Sequence, residues 1–263
     1  MGRLALRFTA LGYLALLLVL PVGLIFYRAF GDGVAHVFNS LTTPEAQHAF
    51  WLTLVMVAVA VPLNTLFGVL AAMVIVRHDF RGKSLLNAAI DMPFAVSPVV
   101  IGLALILVYG NGGWIGGWLA DNGIRVIFSP LGMILATTFV SLPFVAREVI
   151  PVLREIGTEQ EQAASTLGAS PLQTFFRITL PAVRWGVAYG VVLTTARALG
   201  EFGAVSVVSG KIAGRTETAT LHVEDRFQHF DLTGAYAASI VLALMALATL
   251  LLMNLIKPKE EAV

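Results

Sequence analysis

The sequence has no cysteine among its 263 residues. A disulfide, a thiolate metal site and a cysteine nucleophile are therefore excluded, and the redox compartment stays open. Charge is also scarce, because only 13% of the residues are charged, whereas a soluble domain carries about 25%. That is too little to cover a soluble fold with a polar surface on all sides. A net charge of +1 provides no dense basic face, so no nucleic-acid partner is expected.

Apolar residues, in contrast, make up 57% of the chain, with a mean hydropathy of +0.84. A helix that crosses a bilayer needs about 20 apolar residues, and several stretches meet this length. These stretches are 8–27, 49–76, 86–109, 131–150, 185–208 and 234–256. They are continuous rather than alternating, which favours helices over a membrane barrel. The sequence thus predicts an all-α integral membrane protein, a six-helix bundle forming one domain over residues 1–263.

The distribution of Lys and Arg predicts the orientation of the bundle, because cytoplasmic loops retain positive charge. With the N-terminus inside, eleven basic residues fall on the cytoplasmic side and five on the outer side. The eleven are Arg3, Arg7, Arg77, Arg81, Lys83, Arg147, Arg154, Arg177, Arg184, Lys257 and Lys259, and the five are Arg28, Arg125, Lys211, Arg215 and Arg226. Both termini are therefore predicted to be cytoplasmic. The apolar run 8–26 is too long for the core of a secretory signal, so we interpret it as the first span.

Two outer segments carry polar or aromatic residues. Segment 110–129 is glycine-rich and contains Trp114 and Trp118, four apart, a spacing that puts both on one helical face at the membrane interface. We interpret the pair as a membrane anchor, with a gate or docking element as the alternative. Segment 209–233 carries charges of both signs and is predicted to be a solvated loop that is long enough to meet an external partner.

The longest cytoplasmic loop, 151–184, has the residues of two short helices. Thr158 and Glu161 have the spacing of a capping box at the start of the first helix, and Gly168 is placed to end it in the left-handed conformation. Ser170 and Gln173 have the spacing of a second capping box, which starts the second helix, and Pro181 is predicted to end that helix. The pattern indicates two helices that meet at a sharp corner.

The same loop resembles a known motif. Gln162-Ala163-Ala164, then Gly168, then Ile178-Thr179-Leu180-Pro181 after nine further residues, resembles the EAA loop of ABC importer permeases. The resemblance implies the fold of a type I importer permease, in which coupling helices insert into a groove of an ATPase subunit. One departure is that the acid leading this motif is replaced by Gln162, with Glu161 one place early. The residues that the resemblance assigns to ATPase coupling are Glu161, Gln162, Ala163, Ala164, Gly168, Ile178, Leu180 and Pro181.

Arg197 and Glu201 lie four apart within the predicted fifth span. A charge at the middle of a membrane costs roughly 2.5–3.5 kcal/mol on insertion scales, so the two residues need a physical reason to be there. Two interpretations stay open. The residues can form a structural ion pair against the bundle interior. Alternatively they line a pathway, in which Arg197 offers a positive group to an anion and Glu201 holds Arg197 in place or closes a gate.

The string 197–204, Arg-Ala-Leu-Gly-Glu-Phe-Gly-Ala, resembles the signature of the sulfate and molybdate permease branch. Segments 91–100, 143–148 and 203–210 are similar to the sulfate/thiosulfate permeases of that branch, and the likeness runs from about Trp51 to the last span. It implies a bacterial inner-membrane location, a second permease chain of the T type, a pair of ATPase subunits and an external protein that captures sulfate or thiosulfate. The residues that we assign to the pathway or gate are Arg197, Glu201, Phe202, Gly203, Ser97 and Ser206.

The resemblance implies that this chain binds no cofactor, since ATP and magnesium bind the ATPase subunits. Gly82-Lys83-Ser84 has the ending of a phosphate-binding loop, but Arg77 occupies the place of its first glycine, so the motif fails. The five histidines have no helix-spaced metal pair and are interpreted as surface residues. The alternatives are a molybdate or tungstate importer, a secondary anion transporter and, with Glu201 as its only acid at membrane depth, an intramembrane enzyme.

Overall fold

The computed structural model describes residues 2–31 and 33–256 and, within those ranges, contains helices and no strand. Two segments, Ala15–Val19 and Phe175–Thr179, are π-helical. The α-helices, in chain order, are α1 Gly2–Leu14, α2 Leu20–Ala29, α3 Val34–Leu41, α4 Pro44–Arg77, α5 Lys83–Ala95, α6 Pro98–Tyr109, α7 Gly116–Asp121, α8 Pro130–Ser141, α9 Pro143–Glu155, α10 Glu159–Thr166, α11 Pro171–Thr174, α12 Leu180–Leu199, α13 Gly203–Val208, α14 Ala219–Gln228 and α15 Leu232–Ile256. The predicted all-α fold is confirmed.

Four of the predicted spans correspond to long apolar helices in the described ranges. These helices are Ala5–Ala29, Pro44–Arg77, Pro130–Glu155 and Leu232–Met253. For the first, second, fourth and sixth predicted spans, the structure therefore has a helix that is long and apolar enough to cross a membrane. Of the basic residues used to predict orientation, Lys257 and Lys259 lie outside the described residues, and the side chain of Arg3 is likewise not described.

The predicted third span is not a continuous helix. Residues 86–109 fall on α5 and α6, which meet at an angle of 114°. Val96 ends α5 in an extended conformation, and Pro98 opens α6. The residue before a proline is biased away from the helical region, so Ser97 takes an extended conformation and the helix breaks there.

The predicted fifth span, 185–208, is also wrong as one helix. Helix α12 ends at Leu199, and the separate helix α13 begins at Gly203. Arg197 is in the last turn of α12, whereas Glu201 lies in the break between α12 and α13. The two residues are therefore not on one face of a single helix.

Helix α9 packs between α4 and α12 in the largest buried core. The buried side chains that form it include Val69, Ala72, Ile75, Ile90, Val145, Val149, Leu153 and Val183. Gly68 of α4 and Gly190 of α12 both lie against Val145, and a Cβ at either glycine would come within 2.7 Å of a Val145 atom. Small residues allow membrane helices to approach this closely. The loop 151–184 connects α9 to α12 and so emerges directly from this packed unit.

A second core joins the short helices α6 and α13 to α4 and α8. Its buried side chains include Leu52, Met56, Ile101, Met133, Val140, Ala204, Val205 and Val208. Gly102 of α6 packs against α13, because a Cβ there would lie 2.8 Å from the Val207 Cβ. The two broken spans are therefore held to each other at close range.

The prediction of a solvated loop for 209–233 is wrong, because this segment contains α14, which packs on α15 and α4. The backbone N–H of Ala219 donates to Thr53 Oγ1 at 2.9 Å. His222 and Glu217 are both 3% or less exposed, and His222 Nδ1 lies 3.1 Å from Glu217 Oε1. The interpretation of His222 as a surface residue is therefore also wrong. Its polar ring is buried because a carboxylate from the same segment is folded against it.

Candidate functional site

The corner in loop 151–184 lies at Gly168, as predicted. Its φ of +81° is in the left-handed region, and a Cβ there would meet no atom within 4 Å, so the requirement for glycine is conformational. The Gly168 N–H donates to the Ser165 carbonyl at 3.0 Å, and the Ala169 N–H donates to the Ala164 carbonyl at 3.0 Å. These are the two hydrogen bonds of a Schellman motif, which closes the C-terminus of α10.

The second helix of the loop starts as predicted but does not end as predicted. The Ser170 N–H donates to Gln173 Oε1 at 2.9 Å, and the Gln173 N–H donates to Ser170 Oγ at 3.4 Å, so this capping box is formed. Pro181 does not end the helix, because α11 continues through the π segment Phe175–Thr179 into α12. The π segment bonds each N–H to a carbonyl five residues back, and this local change of register allows a proline to follow without a break.

The predicted Thr158–Glu161 capping box is absent, since the Thr158 side chain makes no cap hydrogen bond. Glu161 instead points to Arg77 at the C-terminal end of α4. Arg77 Nε lies 3.0 Å from Glu161 Oε2, and Arg77 Nη2 donates to Glu161 Oε1 at 3.1 Å. Thr179 Oγ1 donates to the same Oε1 at 2.8 Å. The Glu161 carboxylate thus binds the charged guanidinium of Arg77 instead of the backbone at the start of α10.

Three large apolar side chains of the loop are exposed. Leu167 is 88% exposed, Leu172 71% and Phe176 60%. Among the residues predicted for coupling, Gln162, Ala163, Gly168 and Pro181 are exposed, Glu161, Ile178 and Leu180 are half-buried, and Ala164 is buried. Exposed large apolar side chains at a helical corner are typical of a surface that another protein covers.

The membrane ion pair is present across the break between α12 and α13. Arg197 Nη1 lies 2.6 Å from Glu201 Oε2, and the Glu201 side chain is 1% exposed while that of Arg197 is 30% exposed. The other carboxylate oxygen, Oε1, accepts the Ala204 N–H of α13 at 2.9 Å. Thr220 Oγ1 donates to the Glu201 carbonyl at 2.7 Å. Glu201 therefore both neutralises Arg197 and caps α13.

The remaining pathway candidates lie around the two helix breaks. Gly203 faces the break at Ser97, because a Cβ on Gly203 would lie 2.9 Å from Pro98 Cβ. Ser97 is exposed and makes no side-chain cap bond to α6. Ser206 donates to the Gly203 carbonyl at 2.8 Å, and Phe202 lies under the Lys211 ammonium, 6.0 Å from the ring centre. The structure thus brings the breaks at Ser97 and at 200–202 together. The Ser206 hydroxyl, in contrast, is bound to the backbone of its own helix.

Several contacts at these sites were missed by sequence reasoning. Arg77 is used in the sequence analysis only to predict orientation and to exclude a phosphate-binding loop, and its contact with Glu161 is not predicted there. Asp91 and Arg147, which the sequence analysis does not pair, form a bidentate ion pair in which Arg147 Nε donates to Asp91 Oδ1 at 2.6 Å and Nη2 lies 2.6 Å from Oδ2. This pair attaches α5 to α9. No signal in the sequence alone identifies these partners.

Two smaller findings concern aromatic and metal-binding residues. Trp114 is 90% exposed and Trp118 67% exposed, but Trp114 precedes α7, so the two do not share a helix. Their role as a membrane anchor stays a prediction. Within the described ranges, no group of three His, Asp or Glu side chains is close enough to hold a metal ion.

Comparison with known proteins gives a consistent set of relatives. The family model described as "Binding-protein-dependent transport system inner membrane component" matches residues 64–261. The sulfate transport system permease protein CysW of Synechocystis sp. is 51% identical over 95% of this chain and 91% of its own length. In Escherichia coli K12, the protein named CysW is 46% identical over 94% of this chain and 85% of its own length. The protein named CysT of the same organism is 40% identical over 89% of this chain and 85% of its own length.

Solved structures give the same fold at low sequence identity. A bacterial alginate ABC transporter, solved in complex with an alginate pentasaccharide-bound periplasmic protein, has a chain that superposes with a TM-score of 0.80. The match covers 95% of this chain and 91% of that chain at 18% identity. At this identity the likeness establishes the arrangement of the helices and not the substrate.

Proposed function

The chain belongs to the family of binding-protein-dependent transport system inner membrane components, and on this premise we propose that it is the permease subunit of an ATP-driven sulfate and thiosulfate importer. The observation that carries the proposal is the 51% identity, over 95% of the chain, to a protein named as a sulfate transport system permease. The identity is higher to the CysW protein of E. coli than to the CysT protein, 46% against 40%. The chain then takes the W-type place and forms half of the pore beside a T-type permease chain.

The proposed complex contains, besides the two permease chains, two ATPase subunits and an external protein that binds sulfate or thiosulfate. The solved alginate transporter, which holds a periplasmic protein in its complex, supports this plan through the shared fold. ATP and magnesium bind the ATPase subunits, so this chain contributes a pore and no hydrolytic step. Both oxygens of Glu201 are engaged, one by Arg197 and one by the Ala204 N–H, so these structural contacts account for the buried acid without a catalytic role.

The corner at Gly168 is the proposed docking element for an ATPase subunit. Leu167, Leu172 and Phe176 supply its exposed apolar surface, and Ala163 leaves room for a neighbouring backbone. Glu161 is turned inward to Arg77, so Gln162 is the exposed polar side chain at the start of this surface. At the position of the acid in the motif, the proposed contact with the ATPase is therefore made by a neutral side chain.

The pathway is proposed to run along the two helix breaks. Glu201 holds Arg197 at the break, and Arg197, whose side chain is 30% exposed, is the positive group that a passing anion meets. A single arginine with scattered hydroxyl groups binds an oxyanion weakly, which suits release. Selectivity then lies with the external binding protein. The proposed location is the bacterial inner membrane with both termini in the cytoplasm.

The test is uptake of radiolabelled sulfate into proteoliposomes that contain this chain, a T-type permease chain and the ATPase. The binding protein is added on the side of the membrane opposite the ATPase. We expect uptake that requires hydrolysable ATP and is competed by thiosulfate. Uptake driven by an ion gradient without the ATPase would contradict the proposal and indicate a secondary transporter. A complex that assembles from this chain alone and transports molybdate or tungstate, but not sulfate, would contradict it in favour of that importer class.

A further inference from the structure

Arg77 is a charged side chain at the end of the longest helix, and it is 9% exposed. Its guanidinium is held by groups from three segments. Nη1 donates to the Leu153 carbonyl of α9 at 3.0 Å, and Nη2 donates to the Gly157 carbonyl at 2.6 Å. The third group is the Glu161 carboxylate of α10. We call Arg77, Glu161 and Thr179 the arginine joint.

The arginine joint links the first helix of the loop to the membrane helices on both sides. Through Arg77 it reaches the last turn of α4 and the end of α9, and through the Thr179 hydroxyl it reaches the segment that continues into α12. All three helices contribute buried side chains to the largest core. A displacement of α10 therefore acts on all three helices through one carboxylate.

Close packing does not provide the same link. A surface pocket of about 270 Å³ opens beside the joint, and Met73, Ser165 and Phe175 are among the residues that line it. Side chains on opposite sides of this open pocket do not pack against each other. The charged hydrogen bonds of Glu161 are thus the stiff connection at this place.

We propose that Glu161 and Arg77 are positioning residues that convert movement of α10 into movement of α4 and α12, and that Glu161 acts within this chain rather than on the ATPase. The inference rests on the proposed function, because it requires an ATPase that moves α10. It also gives a physical meaning to the shifted acid in the loop. Gln162, at the exposed position of the motif, is neutral. Glu161, one place earlier, carries the charge and binds Arg77 inside this chain.

The experiment compares variants in the assembled complex with both permease chains and the ATPase. Glu161→Gln removes the charge that Arg77 binds, and Thr179→Val removes only the branch to α12. The matched control is Asp79→Asn. Asp79 lies on the same side of the membrane helices and accepts a hydrogen bond from Lys83 at 2.8 Å, and this bond and the Lys83 charge hold the pKa of Asp79 below its usual value. The readouts are complex assembly, ATP hydrolysis and sulfate taken up per ATP hydrolysed.

We expect Glu161→Gln and Thr179→Val to assemble and hydrolyse ATP, with sulfate per ATP lowered about tenfold for the first and less for the second. Asp79→Asn keeps the wild-type ratio. A wild-type ratio in both joint variants would overturn the inference. Loss of assembly in both would also overturn it, because the joint would then serve only to hold the fold. A wild-type complex that takes up no sulfate contradicts the proposed function instead, so the two failures are distinguishable.

Discussion

Glu161 and Gln162 show how one residue step on a helix changes what a side chain does. Adjacent positions on a helix point about 100° apart, so one faces the membrane helices and the other faces outward. The carboxylate of Glu161 contacts Arg77 and Thr179, while Gln162 Nε2 donates locally to Thr158 Oγ1 at 3.0 Å. The assignment of a coupling residue therefore depends on direction as well as on position in a motif.

The ion pair of Arg197 and Glu201 gives a prediction at the residue scale. Arg197→Ala leaves a carboxylate that is 1% exposed without its counter-charge, which costs about 3–5 kcal/mol for a buried pair. The double variant Arg197→Ala with Glu201→Gln removes the charge but keeps an oxygen for the Ala204 N–H. We expect the double variant to be more stable than the single one, measured as the temperature of unfolding in detergent. A single variant at least as stable as the double would show that the two side chains are not energetically coupled.

At the scale of elements, the corner between α10 and α11 gives a second prediction. Valine at position 168 must adopt φ of +81°, which costs an L-residue about 1–2 kcal/mol, whereas asparagine tolerates this region. We expect Gly168→Val to lower sulfate uptake per ATP while Gly168→Asn stays close to wild type. Both side chains point into open space, so a steric clash does not explain a difference. Normal coupling in the valine variant would show that the corner geometry is not needed.

Hydropathy predicted the long helices because a continuous apolar run of sufficient length is a strong signal. It did not predict the breaks at Ser97 and at 200–202, since both breaks lie inside apolar runs. Pro98 and the glycines at 200 and 203 were the available signals, but such residues also occur inside unbroken membrane helices. Pro62 is an example within α4.

Side-chain partners were less predictable than elements. The Ser170 capping box was predicted because both of its groups lie within four residues of each other. The partner of Glu161 was not, because Arg77 is 84 residues away and competes with the local backbone. Likewise Glu217 and His222 were assigned to a solvated loop, although they are paired with each other and buried. The same local rule thus succeeds at Ser170 and fails at Thr158, where Arg77, distant in sequence, binds the carboxylate instead.

At the scale of the whole molecule, the corner of α10 and α11 lies next to the largest core. The two broken spans pack on each other in the second core. The largest core connects the two regions. In this core α4 and α12 flank α9, and α12 leads into the break at 200–202. A movement that enters at the corner reaches the break without crossing a flexible linker. The length of α4, 34 residues, is what allows one helix to contact both regions.

The 114° bend between α5 and α6 has a consequence for water. Helix ends within a bilayer expose amides that lipid cannot satisfy, so water or protein must cover them. In deuterated buffer we therefore expect the amides at 97 and 202–203 to exchange at least about tenfold faster than those near Ala60 in the middle of α4. Equal protection, measured by mass spectrometry in nanodiscs, would mean that neighbouring protein segments cover the amides at both breaks. Fast exchange would mark a hydrated seam in a protein of which 57% of the residues are apolar.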